Sequence, residues 1–97
     1  MSLPIRVRPE AEADLSEAYG WYEEQRAGLG DEFLGRVDSC LRGIQRHPEL
    51  APVVHRAVRR ALLQRFPYGI FYIVDEREIS VVAVFHQSRN PLGWMGR

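Results

Sequence analysis

The sequence predicts an α+β domain of order β-α-α-β-β-β, with a helical hairpin packed on one face of a small, mostly antiparallel twisted sheet. Three observations predict it. The first half carries two consecutive apolar stripes of helical period, separated by a glycine-bearing turn. The period then changes after a segment bounded by Pro48 and Pro52. Finally, Ile70–Val74 and Ile79–Phe85 are apolar at nearly every position, as strands covered on both faces are. A chain of 97 residues is expected to form a single domain over 1–97.

Leu3, Ile5 and Val7 alternate with polar or proline neighbours, which reads as a short strand. Pro4 places it at a sheet edge or a strand start. Pro9 suits the first helical position, where its missing N–H costs little, and Glu10 and Glu12 follow in the first turn. The first helix is expected to run to about Arg26. Its buried stripe is Ala11, Leu15, Ala18 and Tyr22, bordered by Tyr19.

Gly28 supplies the left-handed residue that ends helices, and Leu29 folds back as its apolar contact. A second helix begins near Gly30-Asp31-Glu32 and ends at His47-Pro48. Phe33, Val37, Cys40 or Leu41, and Ile44 form its stripe. Val58–Phe66 is expected as a strand, followed by punctuation at Pro67-Tyr68-Gly69 and then the two apolar strands, joined by Asp75-Glu76-Arg77. The core expected from this pattern packs Leu15, Tyr22, Phe33, Val37, Leu41 and Ile44 against Ile70, Tyr72, Val81 and Ala83 or their strand neighbours. His86 to Arg97 is a polar tail.

Formal net charge is zero, but unevenly spread. Residues 1–54 carry six arginines against ten carboxylates, a net of −4, and residues 55–97 carry seven against three, a net of +4. Either the basic half meets a nucleic acid or an acidic protein, or the two halves neutralise each other in the fold. All thirteen basic residues are arginine, for which genomic composition is a simpler cause than function. The lone Cys40 fits a reducing compartment. No run of about 18 apolar residues suggests a membrane span, and residues 1–8 lack the apolar core of a signal peptide.

Few residues suggest chemistry by themselves. His47, His55 and His86 are scattered without ligand spacing, so no metal is expected, and no phosphate loop, dinucleotide fingerprint or nucleophile elbow is present, so no cofactor is expected. The acids of the first helix, Glu10, Glu12, Asp14, Glu17, Glu23 and Glu24, read as a solvated face, with a docking surface as the alternative. Arg59, Arg60 and Arg65 cluster on or beside one strand, with Arg59 and Arg65 expected on one face and Arg60 on the other. His86, Arg89, Trp94 and Arg97 follow the last strand. Such a surface suits a phosphodiester, with arginine stabilising charge, histidine moving a proton and tryptophan stacking a base. Equally, the arginines pair with helical carboxylates while Trp94 pins the tail.

Ala11-Glu12-Ala13-Asp14-Leu15 and Trp21-Tyr22-Glu23-Glu24-Gln25 resemble the first helix of the RelE/ParE superfamily of type II toxins, which includes plasmid stabilisation proteins. Gly28-Leu29-Gly30-Asp31-Glu32-Phe33 is similar to the family's inter-helix turn, and Ile44-Gln45-Arg46-His47-Pro48-Glu49 to its second-helix exit. Arg59-Arg60 and Arg65-Phe66-Pro67-Tyr68-Gly69-Ile70-Phe71-Tyr72 resemble its second and third strands. Val82, Val84, Phe85, His86, Arg89-Asn90-Pro91 and Trp94 resemble its close. The pieces occur in order over nearly the whole chain.

The resemblance implies a cytoplasmic toxin neutralised by a co-encoded antitoxin that folds on binding, the two forming a hetero-oligomer away from membranes. It also implies one of two cellular targets. ParE-like members inhibit DNA gyrase, whereas RelE-like members cut mRNA on the ribosome without metal. Departures from the nuclease pattern favour the ParE-like inhibitor, which is not an enzyme. Gly69 stands where that branch carries an arginine, Trp94 replaces its tail tyrosine, and its strand lysines are absent, leaving Arg59 and Arg60. If the chain is a nuclease, the resemblance and chemistry point to His86, Arg89 and Arg65. Arg59, Arg60, Arg65, Arg89 and Trp94 are the expected partner-binding residues. A non-toxic interaction module is the third reading.

Overall fold

The structure is a computed structural model that describes residues 2–88. Its order is β1 (Ile5–Val7), α1 (Pro9–Gln25), α2 (Leu29–Arg46), β2 (Val53–His55), β3 (Val58–Leu62), β4 (Tyr68–Val74) and β5 (Ile79–His86). The five strands form one sheet in the order β1-β5-β4-β3-β2, with β1 parallel to β5 and every other pairing antiparallel. The fold is α+β, with two helices packed on a mixed sheet. The apolar runs β4 and β5 are inner strands, and the proline-flanked β1 is an edge.

Pro9 opens α1 as expected, and Glu12 N–H donates to Arg8 O at 2.9 Å. The helices are joined through Gly28, whose φ of 89° requires a residue without a Cβ penalty. The Glu23 carboxylate accepts the N–H groups of Gly28 at 3.3 Å and Gly30 at 2.8 Å. It thereby satisfies donors that the start of α2 leaves without intrahelical partners. Gly30 is needed for a different reason: a Cβ there would lie 2.7 Å from both the Tyr19 ring and Glu23 Cγ. The expectation that the first-helix acids form only a solvated face therefore fails for Glu23.

It fails for Asp14 as well. β1 pairs with β5 only as far as Val81, leaving the rest of that edge of β5 without a strand partner. Asp14 Oδ2 accepts the Val84 N–H at 3.0 Å across 70 positions of sequence, docking α1 on the sheet.

The main core joins Tyr22, Phe33, Val37 and Ile44 of the hairpin to Ile70, Tyr72, Ile79, Val81 and Val84 of the sheet, with Leu15 and Leu41 partly buried against it. Of Ala83 and its strand neighbours, which the sequence leaves as alternatives, Val84 takes this place and Ala83 does not. It belongs to a second cluster with Val58, Phe71, Val82 and Phe85. A bulge is the cause: Phe71 pairs with Ala83 but Tyr72 pairs with Val81, so Val82 is an extra residue that reverses the facing of the side chains after it.

Two further expectations change. Val53–His55 is a strand, joined to β3 by a tight turn in which Arg56 has φ 51°. β3 ends at Leu62 rather than Phe66, and a closed turn follows, with Leu63 N–H donating to Tyr68 O at 3.0 Å. Arg65 lies in that turn with φ 70°, so it does not share a strand face with Arg59.

Burial pushes up the phenol pKa values of Tyr22, Tyr68 and Tyr72 from an ordinary value of 10.0. The native state thus holds protons that the unfolded chain releases near pH 10. The corresponding stability is complete below that pH and is lost as pH rises through the native values. Urea midpoints should therefore be level below about pH 9 and fall above about pH 10, with Tyr72→Phe flattening the decline. A midpoint independent of alkaline pH would show that these phenols ionise freely in the folded chain.

Candidate functional site

The expected partner-binding arginines are distributed over different environments. Arg59 lies opposite Tyr72 in the ladder and turns towards the α2–β2 loop, where its Nη1 donates to Glu49 O at 2.9 Å and Ala51 O at 2.7 Å. The Tyr72 hydroxyl donates to Pro48 O at 2.7 Å in the same loop. Arg59 is thus an internal brace.

Arg60 pairs with Phe71 and extends over Gly69. A Cβ at position 69 would stand 3.1 Å from Arg60 Cγ and 3.3 Å from Cδ. Among the described residues its Nε is buried without a hydrogen-bond partner. Arg65 is exposed and lines a cavity against α2 with Leu29, Glu32, Arg36 and Ser39. Arg89 and Trp94 lie outside the described residues.

His86, at the end of β5, lines a different cavity. Its Nδ1 accepts the Ser88 N–H at 3.0 Å and lies 2.8 Å from Ser88 Oγ. The neutral ring therefore carries its proton on Nε2. The Tyr68 and His86 ring centroids are 5.2 Å apart, edge to face.

The cavity at His86 is a groove of about 470 Å³ between α1 and the adjoining ends of β4 and β5. Asp14, Glu17, Ala18 and Trp21 line its helix side, at the three- and four-residue spacings that place side chains on one stripe. Tyr22, Tyr68 and Val84 line its sheet side. Trp21 is 56% exposed and meets Tyr22 edge to face at 5.1 Å. Burial, and next the charge of Glu17, push the Tyr68 phenol up, so the hydroxyl stays protonated. This groove is not expected from the sequence, which assigns Asp14 and Glu17 to a solvated acidic face, Ala18 and Tyr22 to an apolar stripe and His86 to the basic surface; the spacing of Asp14, Glu17 and Trp21 is the legible signal.

Among the described residues, ion pairs do not join the basic half to the helical carboxylates, one of the two arrangements the sequence leaves open. The three ion pairs among the described residues are Arg6–Glu78, Arg26–Glu32 and Arg42–Asp38. None of them joins an arginine of residues 55–88 to a helical carboxylate.

Among the described residues no three His, Cys, Asp or Glu side chains converge on a point. Burial pushes the Cys40 thiol up, away from the reactive thiolate. No helix among the described residues is long and apolar enough to cross a membrane.

A helical hairpin on a five-stranded sheet of this order is the fold of toxins from type II toxin–antitoxin pairs. A chain of the chromosomal ParDE system from P. aeruginosa superposes with a TM-score of 0.78 at 18% identity, covering 88% of this chain and 96% of that one. A chain of the RelBE2 toxin–antitoxin complex from Mycobacterium tuberculosis gives 0.65 at 18% identity, covering 89% and 99%. In sequence, Toxin ParE2 of M. tuberculosis, in strains CDC 1551 and H37Rv, is 27% identical over 92 residues, spanning 94% of this chain and 88% of that protein. Residues 5–91 match the family described as ParE toxin of type II toxin-antitoxin system, parDE. The chain belongs to that family.

Proposed function

We propose that this chain is a cytoplasmic toxin that inhibits DNA gyrase by binding it, without cutting RNA, and that a co-encoded antitoxin neutralises it in a hetero-oligomer. Family membership supports the toxin reading. The observation that carries the inhibitor reading is position 69. The nuclease pattern carries an arginine there; here the residue is glycine, and a side chain at that position would require the stem of Arg60 to shift. Two of the candidate nuclease residues line different cavities, Arg65 one against α2 and His86 one against α1. Loss of a proton-transfer group costs about 10²–10⁴ in rate.

The antitoxin surface includes Arg60 and Arg65, with Arg89 and Trp94 following in sequence. Arg59 supports it from within by holding the α2–β2 loop. An acidic, flexible antitoxin segment complements these charges, and its association slows as salt screens them over about 8–10 Å.

The test places purified chain in two assays. Gyrase supercoiling should stall in proportion to added chain, and mRNA in a translating extract should remain intact. Cleaved mRNA that His86→Ala or Arg89→Ala protects, with supercoiling unaffected, would establish a ribosome-dependent nuclease instead.

A further inference from the structure

We infer that the groove between α1 and the ends of β4 and β5 receives one basic side chain, arginine or lysine, from the antitoxin. The inference rests on the antitoxin reading above and names the chemistry of one contact within it.

The lining selects for a cation. Trp21 presents an indole that is 56% exposed on a helix whose other large rings are at least partly buried. Tyr22 holds it edge-on at 5.1 Å, and Tyr68 lies across the groove, 6.1 Å from Tyr22. The faces of such rings attract guanidinium and ammonium groups. Glu17 adds a carboxylate within the groove and belongs to none of the ion pairs among the described residues. Asp14 lines the Val84 side, its position set by the Val84 N–H. Ala18 and Val84 provide an apolar surface for the methylene stem of an arginine or lysine.

The Glu17 charge argues against a nucleic acid. A phosphodiester brought beside Glu17 is repelled, and among the described residues the lining contains no arginine to offset that repulsion. Arginine fits best, because its planar group stacks on indole while its edge donates to a carboxylate. The antitoxin segment therefore carries acids for the basic surface and one cation for this groove.

The test measures binding of the purified chain to the product of the adjacent reading frame by titration calorimetry. Trp21→Ala should weaken it about 30-fold, Glu17→Gln about 3-fold and Glu17→Arg about 10-fold. Changing the arginines and lysines of the antitoxin to alanine one at a time should reveal one whose loss is non-additive with Trp21→Ala. Glu17→Gln preserves shape, so it remains informative if Trp21→Ala folds poorly by circular dichroism. Tight wild-type binding with all three variants unaffected overturns the inference alone, as do additive losses for every basic antitoxin residue. A homodimer that Trp21→Ala dissociates, with antitoxin affinity unchanged, assigns the groove to a second copy and also overturns it. A wild-type chain that fails to bind the product overturns the antitoxin reading and this inference together.

Discussion

Phe33→Ala should destabilise the chain by about 3–5 kcal/mol. Phe33 is completely buried. Its ring packs against Tyr22 at 5.2 Å, Phe66 at 5.4 Å and Tyr68 at 5.1 Å. These four rings join both helices to the turn before β4, and the cavity left by a missing ring cannot be closed by moving one of them. A domain of this size has only about 5–15 kcal/mol to lose, so the change removes a large share of its stability. The melting temperature should fall by about 12 °C or more, and the urea midpoint should fall with an unchanged slope. Phe33→Leu, which refills much of the volume, should cost clearly less. A soluble Phe33→Ala chain with the wild-type midpoint would refute the packing of the hairpin on the sheet.

Arg59→Glu should cost about 2–4 kcal/mol, before any partner is added. The substitution removes both donations to Glu49 O and Ala51 O and sets a carboxylate against the same carbonyls. The α2–β2 loop would then keep the Tyr72 hydroxyl on Pro48 O and the Arg60 N–H on Pro52 O. Amide exchange should quicken across residues 47–55, and Arg59→Lys should restore only part of the protection because one ammonium does not reproduce the planar fork. Unchanged exchange and melting would mean that the loop is secured elsewhere. This expectation decides how charge reversal at the basic surface must be read. Weaker neutralisation by Arg59→Glu would mix folding with binding. Arg65→Glu tests binding more cleanly because Arg65 is exposed in a turn.

Much of the fold was legible because its determinants are local. Pro9 at the start of α1, Gly28 at the turn, and the stripes through Tyr22 and Phe33 are set by nearest-neighbour sterics and a 3.6-residue repeat. The uninterrupted apolar runs of β4 and β5 identified the centre of the sheet. β2 was missed because its hairpin turn uses Arg56 in the left-handed region, where the usual signal is glycine or asparagine. The bulge at Val82 was missed because an inserted residue in an all-apolar strand leaves no mark on its pattern. The basic half-chain and the resemblance pointed to a toxin and its partner from sequence alone. Tertiary structure decided that Arg59 is a brace, that Asp14 and Glu23 serve backbone N–H groups, and that Trp21, Glu17, Tyr68 and His86 share one groove. Those assignments depend on which unpaired N–H or carbonyl a distant side chain meets once the helices are seated on the sheet, and neither local propensity nor periodicity encodes that meeting.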